Sequence, residues 1–393
     1  MVPIIVPFLE AIEMPIDAVY VTLESAPHGG GHEAIKQSLQ EYERRGFDVK
    51  AVCPYVPGVG SCLPNSVPIR LESLAAGQNP MDYSGRSERI RELCKKSIPV
   101  VKKLKPDVII SHTYHAAFLL DNFPGARRVY RDSALKKYML EIAGKYGIKL
   151  PYGGGETDDL IRMEKMSIEN CDDVKTTSTT SANWLKTEYK IDESKIHIIP
   201  EPVDMNKFKK VQTNKKTNVL YAGRCGNPVK GFDVLLKALK TLKKEKNMET
   251  QVDVVSFEDP FKNYASMIKE LGLQKSIKYR GPISHDKMPL VYSESNLLVV
   301  PSIFESFGMV CTEDMSCETP VIASDVGGLK DQLNGWDEQK FTPGNYQELA
   351  EKMENFLNGD SDHSKWGQRE RSRVEERYEL SKIIDAEVQA FFN

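Results

Sequence analysis

Short apolar strand patterns alternate with helical patterns along nearly the whole chain of 393 residues. The alternation begins with predicted strands at Asp17–Leu23 and Asp48–Cys53, pauses in the polar stretch Lys209–Thr217, and starts again with a strand at Asn218–Ala222. Repeated strand–helix alternation is typical of parallel sheets that carry helices on both faces. The sequence therefore predicts an α/β fold with two doubly wound parallel-sheet domains that face a cleft.

The restart of the alternation divides the chain into three parts. We expect a first Rossmann-like domain over residues 1–208, a second over 209–378, and a C-terminal helix within 379–393 that packs back on the first domain. A helix is also predicted over Phe261–Leu271, and the Gly- and Pro-rich stretch Val56–Asp82 is predicted as a loop. Because ligands of doubly wound sheets bind beyond the carboxyl ends of the strands, residues that follow a strand are the candidates for a functional site.

Composition argues against several classes of protein. The formal net charge is -3, so no overall positive field favours nucleic acid as a partner. The apolar segment Met1–Met14 is a poor signal peptide because it contains acidic residues and prolines, and no segment is long enough without charges to span a membrane. We expect a cytoplasmic protein. The basic stretch Arg89–Lys105 could contact a membrane surface, although an ordinary solvated helix face is the favoured explanation.

Two cations follow the first strand of the predicted second domain. Asn218–Ala222 runs into Gly223 and Arg224, and Lys230 lies six residues further on, beside Gly231 at the start of a helix. Glycine lets a ligand approach the backbone closely. Arginine binds phosphate oxygens with a planar fork, and lysine supplies a compact charge. This loop therefore predicts a diphosphate site, although an exposed loop with ordinary surface charges would show the same pattern.

A second loop of the same domain favours an anion and a sugar. Ser306–Gly308 follow the predicted strand Leu297–Val300 and lead into a helix, whose first N–H groups and dipole attract negative charge. Glu305 precedes that helix and Glu313 lies on an early turn, so both carboxylates can accept hydrogen bonds from sugar hydroxyls. Helix capping and a favourable first-turn charge are the alternative explanations for these two acids.

These motifs, followed by Pro320-Val321-Ile322-Ala323-Ser324-Asp325-Val326-Gly327-Gly328, resemble those of the family-4 retaining glycosyltransferases of GT-B fold. The resemblance covers essentially the whole chain. It implies that a sugar moves from a nucleotide-diphosphate sugar to a hydroxyl acceptor, such as a glycan, a lipid or a small molecule, without a metal ion or a further cofactor. It also implies that Arg224 and Lys230 hold the donor diphosphate, that Glu313 contacts the ribose, and that Glu305 lies by the donor sugar.

The same resemblance assigns main-chain contacts with the donor. The backbone of Phe307–Val310 is expected to touch the sugar and the phosphate, and the loop Gly281–Ile283 is expected to touch the base. The predicted donor-binding residues are Gly30, Gly31, Gly223, Ile283, Ser306, Phe307, Gly308, Met309, Val310 and Glu313.

A Gly-rich loop also follows the first strand of the chain, in Pro27-His28-Gly29-Gly30-Gly31-His32. It weakly imitates a dinucleotide fingerprint, which needs an acidic residue at the end of the second strand. That position reads Cys53-Pro54-Tyr55, so a dehydrogenase is disfavoured. In the family that the chain resembles, this loop approaches the donor phosphates and the acceptor.

The acceptor side departs from the family pattern. His112 follows the strand Asp107–Ser111 and is predicted either as an acceptor ligand or as a hydrogen-bonded structural histidine. Many relatives carry a His-Asp pair after the next strand, where this chain has Arg131-Asp132. Either Asp132 takes the polar role, which makes it the fourth catalytic candidate beside Arg224, Lys230 and Glu305, or Arg131 alters the acceptor preference.

Two rival functions and one metal motif complete the sequence reading. Because the histidine is missing, one alternative function is a nucleotide-sugar-binding protein that has lost catalysis. A second alternative is another GT-B enzyme, such as a sugar-nucleotide epimerase. The Asp-x-Asp sequence Asp360-Ser361-Asp362 lies in a late polar loop, where a turn or a helix cap explains it better than a metal site.

Overall fold

The computed structural model describes residues 16–24, 30–56, 63–74, 78–82, 84–150, 155–214, 217–359 and 363–392. Several segments of the sequence lie wholly or partly outside the described residues: Met1–Met14, residues 25–29 of the Gly-rich loop with His28, residues 57–62 and 75–77 within Val56–Asp82, residues 215–216 of the polar stretch, and Asp360–Asp362.

The first sheet has seven parallel strands in the order β3-β2-β1-β4-β5-β6-β7. They are β1 (Ala18–Val21), β2 (Val49–Pro54), β3 (Ser66–Ile69), β4 (Val108–His112), β5 (Arg127–Arg131), β6 (Asp173–Thr176) and β7 (Ile196–Ile198). The helices of this half are α1 (Gly30–Arg44), α2 (Arg86–Leu104), α3 (Lys136–Lys145), α4 (Gly155–Glu169) and α5 (Thr179–Glu188). The reversal of strand order between β1 and β4 opens the crevice in which doubly wound sheets bind ligands.

The second sheet has six parallel strands in the order β10-β9-β8-β11-β12-β13. They are β8 (Thr217–Ala222), β9 (Val252–Val255), β10 (Ile277–Gly281), β11 (Ser295–Val300), β12 (Val321–Ser324) and β13 (Lys340–Phe341). The helices that follow are α6 (Phe232–Glu245), α7 (Pro260–Asn263), α8 (Ala265–Glu270), α9 (Met288–Ser293), α10 (Met309–Ser316), α11 (Gly327–Gln332), α12 (Tyr346–Leu357), α13 (His363–Arg377) and α14 (Leu380–Phe391). In this half the reversal falls between β8 and β11.

The predicted fold class, two doubly wound parallel sheets, is confirmed. Two local predictions were wrong. The stretch Val56–Asp82 contains β3, whose Pro68 is tolerated because the strand lies at the edge of the sheet. The single helix predicted over Phe261–Leu271 is two short helices, which break at Tyr264.

The two sheets meet at the carboxyl ends of their strands. The Thr177 hydroxyl, directly after β6, donates a hydrogen bond to the carbonyl oxygen of Ser306 beyond β11, at 3.2 Å. The first turn of α5 is held in the same way, because Asp331 of α11 accepts hydrogen bonds from the backbone N–H and the hydroxyl of Thr179 at 2.7 and 2.6 Å. These contacts bring the strand ends of both halves to one cleft.

The basic stretch Arg89–Lys105 lies almost entirely in helix α2, which is amphipathic. Ile90, Leu93 and Val101 are fully buried in the first core, whereas Lys95 and Lys102 on the opposite side are exposed. The apolar side of the helix is thus already used for packing, and membrane contact through this helix stays a prediction that rests on its cations. No helix in the described ranges is long and apolar enough to cross a membrane.

The last helix, α14, packs against α1 of the first domain around a buried group of charges. The Glu387 carboxylate accepts hydrogen bonds from the Tyr42 hydroxyl and from the Lys175 ammonium, and all three side chains are fully buried. Phe392 packs on Phe47 with ring centroids 5.1 Å apart. The chain therefore returns from the second domain to close the core of the first.

We expect Glu387→Gln to lower the free energy of unfolding of the first domain by about 3 kcal/mol, because the buried Lys175 ammonium loses its nearest carboxylate and is left with Glu201 at 3.7 Å. Chemical denaturation of the purified protein measures this loss. Glu376→Gln, an exposed acid on the neighbouring helix α13, is the control and should change the value by less than about 0.5 kcal/mol. Equal small effects of both substitutions would show that the buried charge group does not hold the helix.

Candidate active site

Arg224 lies at the mouth of β8 with its guanidinium open to the cleft. Its side chain is 66% exposed, and its Nε donates a hydrogen bond to Glu258 Oε1 at 3.0 Å. Glu258 is itself held by the Ser256 hydroxyl, which donates to Oε2 at 2.9 Å. The hydrogen bond from Nε orients the arginine, and the exposed terminal N–H groups of its guanidinium can still bind a ligand. Sequence reasoning missed Glu258, although it lies three residues after the end of β9 and so satisfies the rule that found the other candidates.

Lys230 and Glu305, predicted from two different loops, are brought together. Lys230 Nζ lies 2.7 Å from Glu305 Oε2, and the Ser302 hydroxyl donates to the same oxygen at 3.3 Å. The two loops touch at Gly231, where a Cβ would lie 1.9 Å from the carbonyl oxygen of Pro301. The lysine side chain is 29% exposed, so a stronger anion entering the cleft can compete with Glu305 for the ammonium.

Two glycines at the start of α11 pack closely against the backbone of the loop that carries Glu305. A Cβ on Gly327 would lie 1.6 Å from the carbonyl oxygen of Glu305, and one on Gly328 would lie 2.5 Å from Phe307 Cα. The Gly328 N–H donates to Ser306 O at 3.1 Å, and the Gln332 amide donates to Phe307 O at 2.8 Å. The position of the loop is thus set by main-chain contact with the start of α11.

Helix α10 begins at the end of this loop. Gly308 precedes it with φ +96°, a left-handed conformation that glycine adopts without strain, and it provides no side-chain cap. The first N–H groups of a helix, here those of Met309 and Val310, have no partner within the helix itself. A helix start that follows a glycine and has no side-chain cap is an arrangement that binds anions.

Glu313, on the second turn of α10, is buried, and each of its oxygens accepts a hydrogen bond from a side chain that the sequence analysis did not single out. Its Oε1 accepts a hydrogen bond from His285 Nε2 at 2.7 Å, and its Oε2 accepts one from the Tyr292 hydroxyl at 2.7 Å. His285 lies two residues after Ile283, which is half-buried at the same end of the second domain. Proximity of His285 to the predicted base loop was the one available signal for its role.

His112 lies on the opposite wall, within the first domain. Its Nδ1 is 3.1 Å from the Tyr20 hydroxyl and its Nε2 is 3.2 Å from the Ser133 hydroxyl. Burial, with help from the Arg131 and Lys175 cations, lowers the pKa of His112 to about 3, so the ring is neutral. A neutral imidazole between two hydroxyls can serve as a donor or an acceptor of hydrogen bonds.

Gly31, on the first turn of α1, lies where two polar side chains converge. A Cβ at this position would lie 3.3 Å from Glu24 Oε1 and 4.0 Å from His112 Nε2. Burial raises the pKa of Glu24 to about 7. Gly30 starts the same helix, and the rest of the Gly-rich loop lies outside the described residues. Glu24 was missed by sequence reasoning, although it lies three residues after the end of β1.

Asp132 and Arg131 are placed beneath this wall. The Asp132 carboxylate is fully buried and accepts a hydrogen bond from the Thr176 hydroxyl at 2.9 Å. Burial raises the pKa of Asp132 to about 7. Arg131 is buried and pairs with Glu201, so neither side chain reaches the cleft surface. The catalytic role predicted for Asp132 stays a prediction, and in the structure Ser133 is the residue of this turn that contacts His112.

The sequence of the chain matches two protein-family models. Residues 203–373 match the family model described as glycosyl transferases group 1, and residues 28–207 match the model of glycosyltransferase family 4. Glycosyltransferase family models thus match both halves of the chain. The family predicted from the loop motifs is therefore confirmed.

Individual relatives are distant. The MMP alpha-(1->4)-mannosyltransferase of Mycolicibacterium hassiacum is 22% identical over 233 residues, which are 59% of this chain and 56% of that protein. The chain spans about half the length of the curated relatives it matches.

Solved structures extend the likeness over nearly the whole fold. Sucrose-phosphate synthase of Thermosynechococcus elongatus superposes with a TM-score of 0.82 at 21% identity, over 95% of this chain and 98% of that one. HepE of Anabaena, solved in complex with UDP-glucose, gives a TM-score of 0.72 at 17% identity over 95% and 98%. At such identities the likeness shows the fold, and the predicted GT-B arrangement is confirmed.

We expect Gly327→Ala to destabilise the second domain by about 3 kcal/mol, because the new Cβ would overlap the Glu305 carbonyl oxygen in the loop after β11. Gly335→Ala is the matched control, since Gly335 is also left-handed, with φ +81°, but nothing lies within 4 Å of its Cβ position. Backbone strain alone should cost the control about 1 kcal/mol. If thermal unfolding showed the same loss of stability for both variants, the close contact between Gly327 and the Glu305 carbonyl would not restrain the loop.

Proposed function

We propose that this protein is a retaining glycosyltransferase that moves a sugar from a nucleotide-diphosphate sugar to a hydroxyl acceptor without a metal ion. The observation that carries the proposal is the convergence of Arg224, Lys230 and the start of α10, which has no side-chain cap, on one edge of the second sheet. The loops that bear them follow β8 and β11, which are paired neighbours in the sheet. Neighbouring parallel strands deliver both loops to the same place.

The donor diphosphate would lie between these groups. Arg224 offers the open part of its fork, Lys230 a compact positive charge, and α10 its first N–H groups and dipole. As the bond between the anomeric carbon and the diphosphate oxygen breaks, negative charge grows on the departing diphosphate. Preorganised donors aimed at growing charge are the largest single source of catalysis in many enzymes. Two fixed cations and a helix start would supply this stabilisation here.

The donor sugar would lie beside Glu305. Once the diphosphate draws Lys230 toward itself, the Glu305 carboxylate becomes free to accept hydrogen bonds from sugar hydroxyls. The acceptor oxygen would bond to the anomeric carbon on the face that the nucleotide leaves, and its proton would pass to the departing phosphate oxygen. Configuration at the anomeric carbon is then retained.

The acceptor would approach from the first domain. Glu24, Gly31 and the neutral His112 converge opposite the donor loops, and they supply hydrogen-bonding groups suited to a hydroxyl. A neutral imidazole and a carboxyl group can both receive such a hydroxyl. The HepE complex makes UDP-sugars the first donors to test, since that protein has the same fold.

A donor screen tests the proposal directly. We expect purified protein, incubated with individual nucleotide sugars and mixed hydroxyl acceptors, to form product or to hydrolyse one donor slowly. Excess EDTA should leave the rate within twofold, because cations of the protein itself hold the diphosphate. Binding without any transfer or hydrolysis would instead indicate a nucleotide-sugar-binding protein, and loss of turnover in EDTA would contradict metal independence.

With the donor identified, we expect Lys230→Ala to lower kcat/KM by a factor of more than 100. Removal of one preorganised electrostatic donor costs about 3 kcal/mol of transition-state stabilisation. Lys237→Ala is the matched control, because Lys237 lies on the following helix and pairs with Asp233 of its own helix, at 2.8 Å. Steady-state kinetics that show less than a tenfold loss for Lys230→Ala would count against the assignment.

A further inference from the structure

A chain of three charged side chains crosses from the first domain to the second beside the predicted ribose site. Glu33, on the first turn of α1, places Oε2 3.3 Å from His285 Nδ1. On the other side of the ring, His285 Nε2 lies 2.7 Å from Glu313 Oε1. One imidazole thus contacts a carboxylate of each domain, with one ring nitrogen for each.

The neighbours of this ring decide its charge. The Lys207 ammonium lies 2.9 Å from Nδ1, which would require an unprotonated nitrogen, and it therefore competes with Glu33 for the same atom. Lys207 already has a carboxylate of its own, because Asp286 lies 2.7 Å away. Two carboxylates then face the imidazole directly against one neutralised ammonium, and this balance favours the protonated ring.

The remaining groups around the ring agree with that balance. The Tyr292 hydroxyl donates a hydrogen bond to the other oxygen of Glu313, and the Phe208 ring packs against the imidazole with centroids 5.0 Å apart and planes tilted by 60°. Lys36 of α1 adds a positive charge near Glu33. Burial lowers the pKa of His285, but Glu313 and Glu33 outweigh it and raise the pKa to about 9. His285 and Lys36 in turn hold the pKa of Glu33 at about 2.

We propose that His285 is a positioning residue that links the two domains. Its ring binds Glu33 of the first domain and Glu313, the carboxylate expected to contact the donor ribose, in a bridge that is called the tie below. The tie would close the two domains over the nucleotide and hold the Glu313 carboxylate in one orientation. Each carboxylate oxygen has a second lone pair, so Glu313 can still accept ribose hydroxyls. The role of Glu313 toward ribose rests on the proposed function, whereas the contact between the domains does not.

The tie depends on pH in a definite direction. Only the protonated ring has two N–H groups, so deprotonation leaves one of the two carboxylates without its donor. Because the pKa of His285 is raised from 6.5 to about 9, its stabilising contribution is complete below pH 6.5 and is lost as the pH rises through 9. Glu33 remains ionised throughout this range, since its pKa is lowered to about 2. Donor binding should weaken across the same interval.

A titration of the histidine rings by NMR tests the contact without any ligand. In protein with ¹³C-labelled histidine, the His285 signal, assigned by its absence in His285→Gln, should titrate near pH 9. Glu33→Gln should lower that midpoint by about one pH unit, because an opposite charge is removed from the ring. Glu43→Gln, an exposed acid on the same helix, is the control and should leave it unchanged. A midpoint that Glu33→Gln does not move would overturn the tie.

Kinetics with the donor found in the screen test the functional half. Glu33→Gln should raise the donor KM about tenfold, the effect of losing a charged hydrogen bond, while kcat stays within twofold. The rise of donor KM near pH 9 should be present in the wild type and absent in His285→Gln, and Glu43→Gln should match the wild type. If Glu33→Gln and Glu43→Gln changed kcat and the donor KM by the same factors, a positioning role for His285 would be contradicted. If no donor is bound at all, the proposed function fails, while the ring titration still decides whether the tie exists.

Discussion

The carbonyl oxygen of Glu305 and the Cα of Gly327 pack so closely that a single methyl group between them would overlap the oxygen. This contact fixes the loop after β11, and the rest of the site follows from it. The loop places Glu305 beside Lys230, sends the Ser306 carbonyl toward Thr177 of the first domain, and aims the start of α10 into the cleft. A site that stabilises charge needs this rigidity, because donors that must reorganise during the reaction lose most of their effect.

Sheet topology explains why residues far apart in sequence share this place. The order β9-β8-β11-β12 brings four strand ends side by side, and each contributes to the site. Glu258 follows β9, Arg224 follows β8, Glu305 follows β11, and Gly327 follows β12. The first domain supplies the opposite wall by the same rule, with Glu24 after β1 and His112 at the end of β4. Both halves therefore use the crevice where strand order reverses.

Much of this arrangement could be predicted from the sequence, because it depends on local patterns. Strand alternation predicted the two sheets, and the strand-end rule led to Arg224, Lys230, Glu305 and Glu313. What could not be predicted are contacts that only tertiary packing creates. His285 pairs with Glu33 across the cleft, and the buried position of Asp132 depends on Thr176 of a neighbouring strand. The edge strand β3 was missed because Pro68 and the glycines around it obscure the alternation.

We propose that the donor diphosphate binds between Arg224, Lys230 and the first turn of α10. A crystal structure with a bound nucleoside diphosphate, UDP first, is the decisive measurement. We expect phosphate oxygens within about 3.2 Å of the Lys230 ammonium, the Arg224 guanidinium and the N–H groups of Met309 and Val310. A diphosphate that is bound elsewhere, or one that leaves Lys230 paired with Glu305 and Arg224 turned toward Glu258 alone, would contradict it.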